Sequence, residues 1–307
     1  MSTMTPAPAT TPEASGAASA ADDTRRIARS RRSARKTRAA AGKAVLVVLL
    51  LAFTLFPAFW MLSSAFDAQA GTGGQTLLPR EFTLDNFQYV LTEGGFDVFL
   101  RNSAIVALVT VVASAVLSLL AAVAVARFRF RSRTAILLMI LIVQMVPLEA
   151  LVIPLFVQVR DLGMLNTLLG LMVVYVALSL AFGIWMLRGF VAAVPVELEE
   201  AAYIDGASWG RMFRSVLLPL VMPGLVATSV FSFITAWNEF IFAMTLLGGA
   251  SENYTVAIGL KQFFGEHTNE WGYIMAASTI ITIPVMIFFV IVQRRLSAGL
   301  VAGAVKG

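Results

Sequence analysis

The apolar positions of this chain fall in long unbroken blocks. Crossing a bilayer takes about 20 consecutive apolar residues in a helix. Six blocks meet that length, at residues 44–66, 103–126, 134–157, 168–187, 220–247 and 274–292. The pattern predicts an all-α membrane protein with six transmembrane helices. It also sets an organisation: a basic N-terminal segment, 1–43; a first helix, 44–66; an external loop, 67–102; a transmembrane domain, 103–293, with an inside loop at 188–219; and a tail, 294–307.

Composition agrees with the blocks. Of 307 residues, 58% are apolar and 13% charged, and mean hydropathy is +0.82. A soluble globular chain carries about 25% charged residues. There is no cysteine, which excludes disulfides, Cys-based zinc sites and thiol nucleophiles. The single histidine, His267, reads as a loop residue.

Lys and Arg set the orientation. With the N-terminus inside, only Arg80, Arg101, Arg160 and Lys261 of the 23 basic residues fall outside. The basic residues Arg294, Arg295 and Lys306 then place the C-terminus inside as well, which requires an even number of spans. The run from Arg25 to Lys43 could serve nucleic acid. It directly precedes an apolar span and lacks aromatic partners for base stacking, so a lipid anchor is the expected role and no nucleic-acid partner is expected. The first block exceeds the 7–15 residues or so of a signal-peptide core, so it is read as an uncleaved anchor. Residues 1–24, rich in Ala, Thr, Pro and Ser, are expected to be disordered.

The inside loop carries the densest local signals. Pro195 is suited to opening a helix. Glu197, Glu199 and Glu200 follow in its first turns, where the helix dipole favours anions. Gly206 can close it in a left-handed cap. A second short helix is expected over 208–217, with Pro219 bending the chain before the fifth span. Such an element suits force transmission better than chemistry. The plainer alternative is an amphipathic loop lying at the membrane surface.

The spacing Glu200-Ala201-Ala202, three residues, Gly206, nine residues, then Val216-Leu217-Leu218-Pro219 resembles the EAA signature of bacterial ABC-importer permeases. Further matches point to the carbohydrate-uptake branch of maltose type, specifically the smaller of its two paired permeases. They include Arg101-Asn102-Ser103, Gln144 with Pro147, Ile153-Pro154-Leu155, Trp237-Asn238-Glu239-Phe240 and the tail from Gly299 to Gly307. The resemblance covers about residues 45–307. It implies a type I importer permease of the bacterial inner membrane, forming half of a sugar pathway. The implied partners are a second, homologous permease (a heterodimer), a cytoplasmic ABC ATPase dimer and an extracytoplasmic solute-binding protein, all around a lipid bilayer. It implies that Glu199, Glu200, Ala201, Ala202, Asp205, Gly206 and Pro219 form the coupling element that docks on the ATPase. It also implies that the tail reaches the ATPase interface. The cargo alternatives are a polyamine, an amino acid or phosphate.

No G-x-x-x-x-G-K-[ST] loop occurs, so ATP and Mg are expected to act on the partner ATPase, and no cofactor or metal on this chain. An enzyme would need catalytic groups clustered at one depth. Charge inside a bilayer costs at least about 2.5–3.5 kcal/mol and tends to face a cavity or a partner. Glu149 and Glu239 both fall in the outer half. With Gln144 and Asn238 they are candidates to line the pathway, and Trp237 to stack on a sugar ring. Interhelical packing is the other reading of these five residues. Pro147, Pro154 and Pro284 are expected to kink their spans.

Overall fold

A computed structural model describes residues 40–71, 77–265 and 270–304, with side chains through 293. The segment expected to be disordered, His267 and the basic side chains of the tail lie outside the described residues. The chain divides into two compact units, one ending at Trp60 and one beginning at Met61. Among the described residues, five helices are long and apolar enough to cross a membrane, and a bent pair makes a sixth span if its two halves count as one.

The first helix, α1, runs Ala40–Ala65. Its residues from Val45 to Phe59 expose a continuous apolar surface, as lipid contact requires. In the second unit, the Asn86 amide donates to the carbonyls of Ala65 and Asp67, at 3.0 and 3.1 Å. Ala65 ends α1, and carbonyls in the last turn of a helix lack intrahelical partners. Asn86 belongs to α2 (Asp85–Thr92), which packs on α12 (Trp271–Ala304) through stacked Tyr89 and Tyr273.

The centre is formed by α3 (Phe96–Arg127), α6 (Leu168–Ala193) and α9 (Leu218–Asn238). Small residues let them approach. Ser114 donates to Ser232 across α3 and α9 at 3.2 Å, and a Cβ on Gly183 would meet the Ser118 hydroxyl at 2.8 Å. This is how membrane helices associate when apolar burial gives no preference over lipid. Two apolar clusters result. The larger lies toward the outside and includes Phe96, Phe99, Tyr175, Phe233 and Trp237. The smaller lies toward the inside and includes Leu119, Val123, Leu187, Val191, Met212 and Leu217.

Four expected boundaries change. The second span begins at Phe96, so Arg101 and Asn102 are helical. There Asn102 donates to the carbonyls of Glu252 and Tyr254, and the Ser103 hydroxyl accepts the Val256 N–H at the start of α11 (Val256–Lys261). The third span is not one helix: α4 (Arg133–Met145) and the following Leu148–Asp161 segment meet at 103°. Val146 and Pro147 are extended at the break. A residue before proline disfavours the helical region, and proline cannot donate to the preceding turn. Pro154, by contrast, sits in the first turn of α5 (Val152–Asp161), where its missing N–H costs nothing. The fifth span ends at Asn238, and α10 (Ile241–Leu247) follows as a separate helix. At the other end, α12 continues through Ala304, well past the expected limit at 292.

Candidate functional site

Two places combine polar chemistry with the helix breaks. The first is a cavity of about 430 Å³ in the outer part of the bundle. It lies between the break in the third span, the break in the fifth and the middle of α6. Its polar lining is Gln144, Glu149, Tyr175, Ser179, Thr235 and Glu239, set in otherwise apolar walls. Phe182 and Phe231, also on the wall, stand with ring centroids 4.0 Å apart.

Glu239 holds the fifth-span break open. Its carboxylate accepts the N–H groups of Phe242 and Ala243, at 2.9 and 3.0 Å, and so caps α10. The Tyr175 hydroxyl donates to the same carboxylate at 2.6 Å. A carboxylate that accepts at a helix N-terminus is favoured by the unpaired N–H groups and by the dipole. Glu149 lies in the 3-10 turn Leu148–Leu151, just beyond Pro147, and is exposed to the cavity.

Of the five pathway candidates, the structure brings Gln144, Glu149 and Glu239 together. It does not bring Trp237 or Asn238 to the cavity. Trp237 is buried against Phe233, one helical turn earlier, and belongs to the outer core. Asn238 is exposed on another face and donates to the Ile234 carbonyl. Helical geometry explains the separation, because successive residues point about 100° apart and the cavity wall takes Phe231, Thr235, Ala236 and Glu239 from this stretch. Sequence reasoning missed Tyr175, Ser179 and Thr235. The pair at 175 and 179 was the available signal, since polar residues four apart share one helix face.

The second place is the inside loop. α7 (Val196–Ile204) follows Pro195 directly and ends at Asp205. Gly206 has φ +79°, the left-handed conformation expected of it. The next helix, α8 (Trp209–Met212), does not stop before the fifth span. It runs through a π-turn at Phe213–Leu217 into α9, so Trp209–Asn238 forms one continuous span. The expected separate helix over 208–217 and the bend at Pro219 are therefore replaced by a widened turn. Pro219 lacks the N–H that would bond one turn back, and the π-turn just before it gives its ring room.

α7 has two distinct faces. Leu198, Glu200, Ala201, Tyr203, Ile204 and Asp205 are exposed, Ile204 to 87%. Glu199 points the other way and is buried. Its Oε1 accepts from Arg127 Nε at 2.7 Å, while Arg127 Nη2 donates to the Val194 carbonyl at 2.8 Å. Arg127 was not singled out from the sequence, where it looked like one of four flanking basic residues.

Residues 114–301, which take in both places, match the family of binding-protein-dependent transport system inner membrane components. The chain belongs to that family. It is a multi-pass permease. It is 40% identical over 265 residues to the diacetylchitobiose uptake system permease protein DasC of Streptomyces coelicolor, covering 86% of this chain and 96% of that protein. It is 36% identical over 266 residues to the trehalose transport system permease protein SugB of Mycobacterium tuberculosis, covering 86% and 97%. Among solved structures it resembles a bacterial ABC transporter involved in import of the acidic polysaccharide alginate. There the TM-score is 0.72 at 25% identity, over 83% of this chain and 95% of that one. Membership implies work with an ATPase and a binding protein.

Proposed function

We propose that this permease forms half of the pathway of an ATP-driven importer for a neutral saccharide, in a bacterial inner membrane. The carrying observation is the cavity. A sugar offers hydroxyls around its rim and C–H faces above and below. Spaced carboxylate, amide and hydroxyl groups in apolar walls suit that rim, and the Phe182–Phe231 pair suits a ring face. Relatives named for diacetylchitobiose and trehalose support a saccharide cargo. Glu149 and Glu239 disfavour an anionic one, since carboxylates repel like charge.

A second permease of similar fold completes the pathway, and a dimer of ATPases hydrolyses ATP with Mg. The exposed face of α7, with Glu200, Ala201 and Asp205, docks on the ATPase, with Ala202 packed behind it and Gly206 and Pro219 fixing its exit. Glu199 contributes from the inner side of the same helix. ATPase closure carries α7 inward and moves the spans between inward- and outward-open states. An external solute-binding protein delivers the cargo.

The test is ATP hydrolysis by the reconstituted complex with its binding protein. Neutral di- and oligosaccharides are screened beside a polyamine, amino acids and phosphate. Stimulation by a saccharide is expected. Stimulation by one of the others alone would overturn the cargo assignment.

A further inference from the structure

Arg127 occupies an unusual junction. It is the last residue of α3. One guanidinium nitrogen holds the Val194 carbonyl, which caps the end of α6, and another holds Glu199 of α7. The cation thus sits at the C-terminal ends of two helices, where the dipoles are negative, and pairs with an anion in the first turn of the third. Both side chains are largely buried. The favourable placement is repeated three times over, once for each element.

The surrounding apolar cluster already holds α7 and α8 to the bundle. Ala202, Ala207 and Met212 meet Leu119, Val123, Leu187 and Val191 there. A buried ion pair adds little stability over apolar residues that fill the same space, because desolvation offsets its attraction. What it does add is direction. Hydrogen bonds from one rigid planar group constrain distance and angle together, whereas apolar contacts allow sliding. The opposite face of α7 is exposed. α6 leads from Val194 to Ser179 on the cavity wall, about 22 Å away at 1.5 Å per residue.

We propose that Arg127 is the positioning residue that makes α7, α3 and α6 move as one body, so that displacement of the coupling helix reaches the cavity. The proposal rests on the reading of α7 as the ATPase-docking helix. It extends that reading to the step between docking and the pathway.

The test uses the full complex in proteoliposomes and reads solute accumulated per ATP hydrolysed. The pair Arg127→Met/Glu199→Leu fills similar volume without charge. It is expected to insert and to assemble with the ATPase and partner permease, and its ATP hydrolysis, whatever the rate, is the divisor of the ratio. Its solute-per-ATP ratio is expected to fall at least about fivefold, the lower end of typical coupling between sites. Arg127→Lys keeps the charge without the planar fork and is expected to fall between the pair and wild type. A wild-type ratio in the pair would overturn the proposal. So would failure of the pair to assemble, which would make the contact a folding staple. Failure of the docking reading shows separately, as an ATPase that still co-purifies with an Ile204→Glu variant.

Discussion

Glu239 and Glu149 share one cavity but have different surroundings, and their substitution should separate them. Glu239 accepts two backbone N–H groups and the Tyr175 hydroxyl. Removing a capping acceptor costs about 1 kcal/mol, and leaving buried donors unpaired costs about 1–3 kcal/mol. Glu239→Ala should therefore lower the melting temperature of the purified complex. Glu149→Ala should leave that temperature unchanged while weakening stimulation by the saccharide. Thermal unfolding and dose–response curves on both variants check the pair. Equal melting losses would place both carboxylates in structural roles. The sequence already made both residues conspicuous, as charges within apolar blocks. It did not reveal their partners, because Tyr175 is 64 positions from Glu239 and only packing brings them together. Trp237 was misdirected for a related reason. Its large ring suits a sugar and a core equally, and the face it occupies depends on where the helix breaks.

The inside loop shows how much an element can owe to one or two backbone positions. α7 ends because Gly206 adopts φ +79°. A β-branched residue there is strained by about 1–3 kcal/mol. Nothing lies within 4 Å of a Cβ added at Gly206, so the strain comes from the backbone alone. Gly206→Val should reorient α7 against α8 and reduce transport several-fold, while the protein still inserts. Uptake assays matched for membrane content check this, and wild-type uptake would remove Gly206 from the coupling element. The opening and closing of α7 were legible, since proline and glycine act locally. The bend in the third span was half legible: Pro147 marked the place, but its size depends on α5 packing against α10. The π-turn before Pro219 was not legible, because hydropathy does not report how a helix absorbs a proline.

At the scale of the whole molecule, the apolar blocks and the asymmetry of Lys and Arg determine topology. Those signals are long and additive, and local error does not disturb them. The division of the interior into an outer and an inner cluster was hidden, because the stripe of small and polar residues that marks the buried face of α3 runs the length of the helix and does not show where one cluster ends and the other begins. That division has a functional consequence. The outer cluster borders the cavity, the inner one packs under the coupling loop, and α3, α6 and α9 run through both. The measurement that tests this account most directly is accumulation of a labelled neutral disaccharide in proteoliposomes holding the complete complex. The account predicts accumulation that requires internal ATP and the external binding protein together. Accumulation that proceeds without ATP, or a complex that accumulates only a polyamine, amino acid or phosphate, would contradict it.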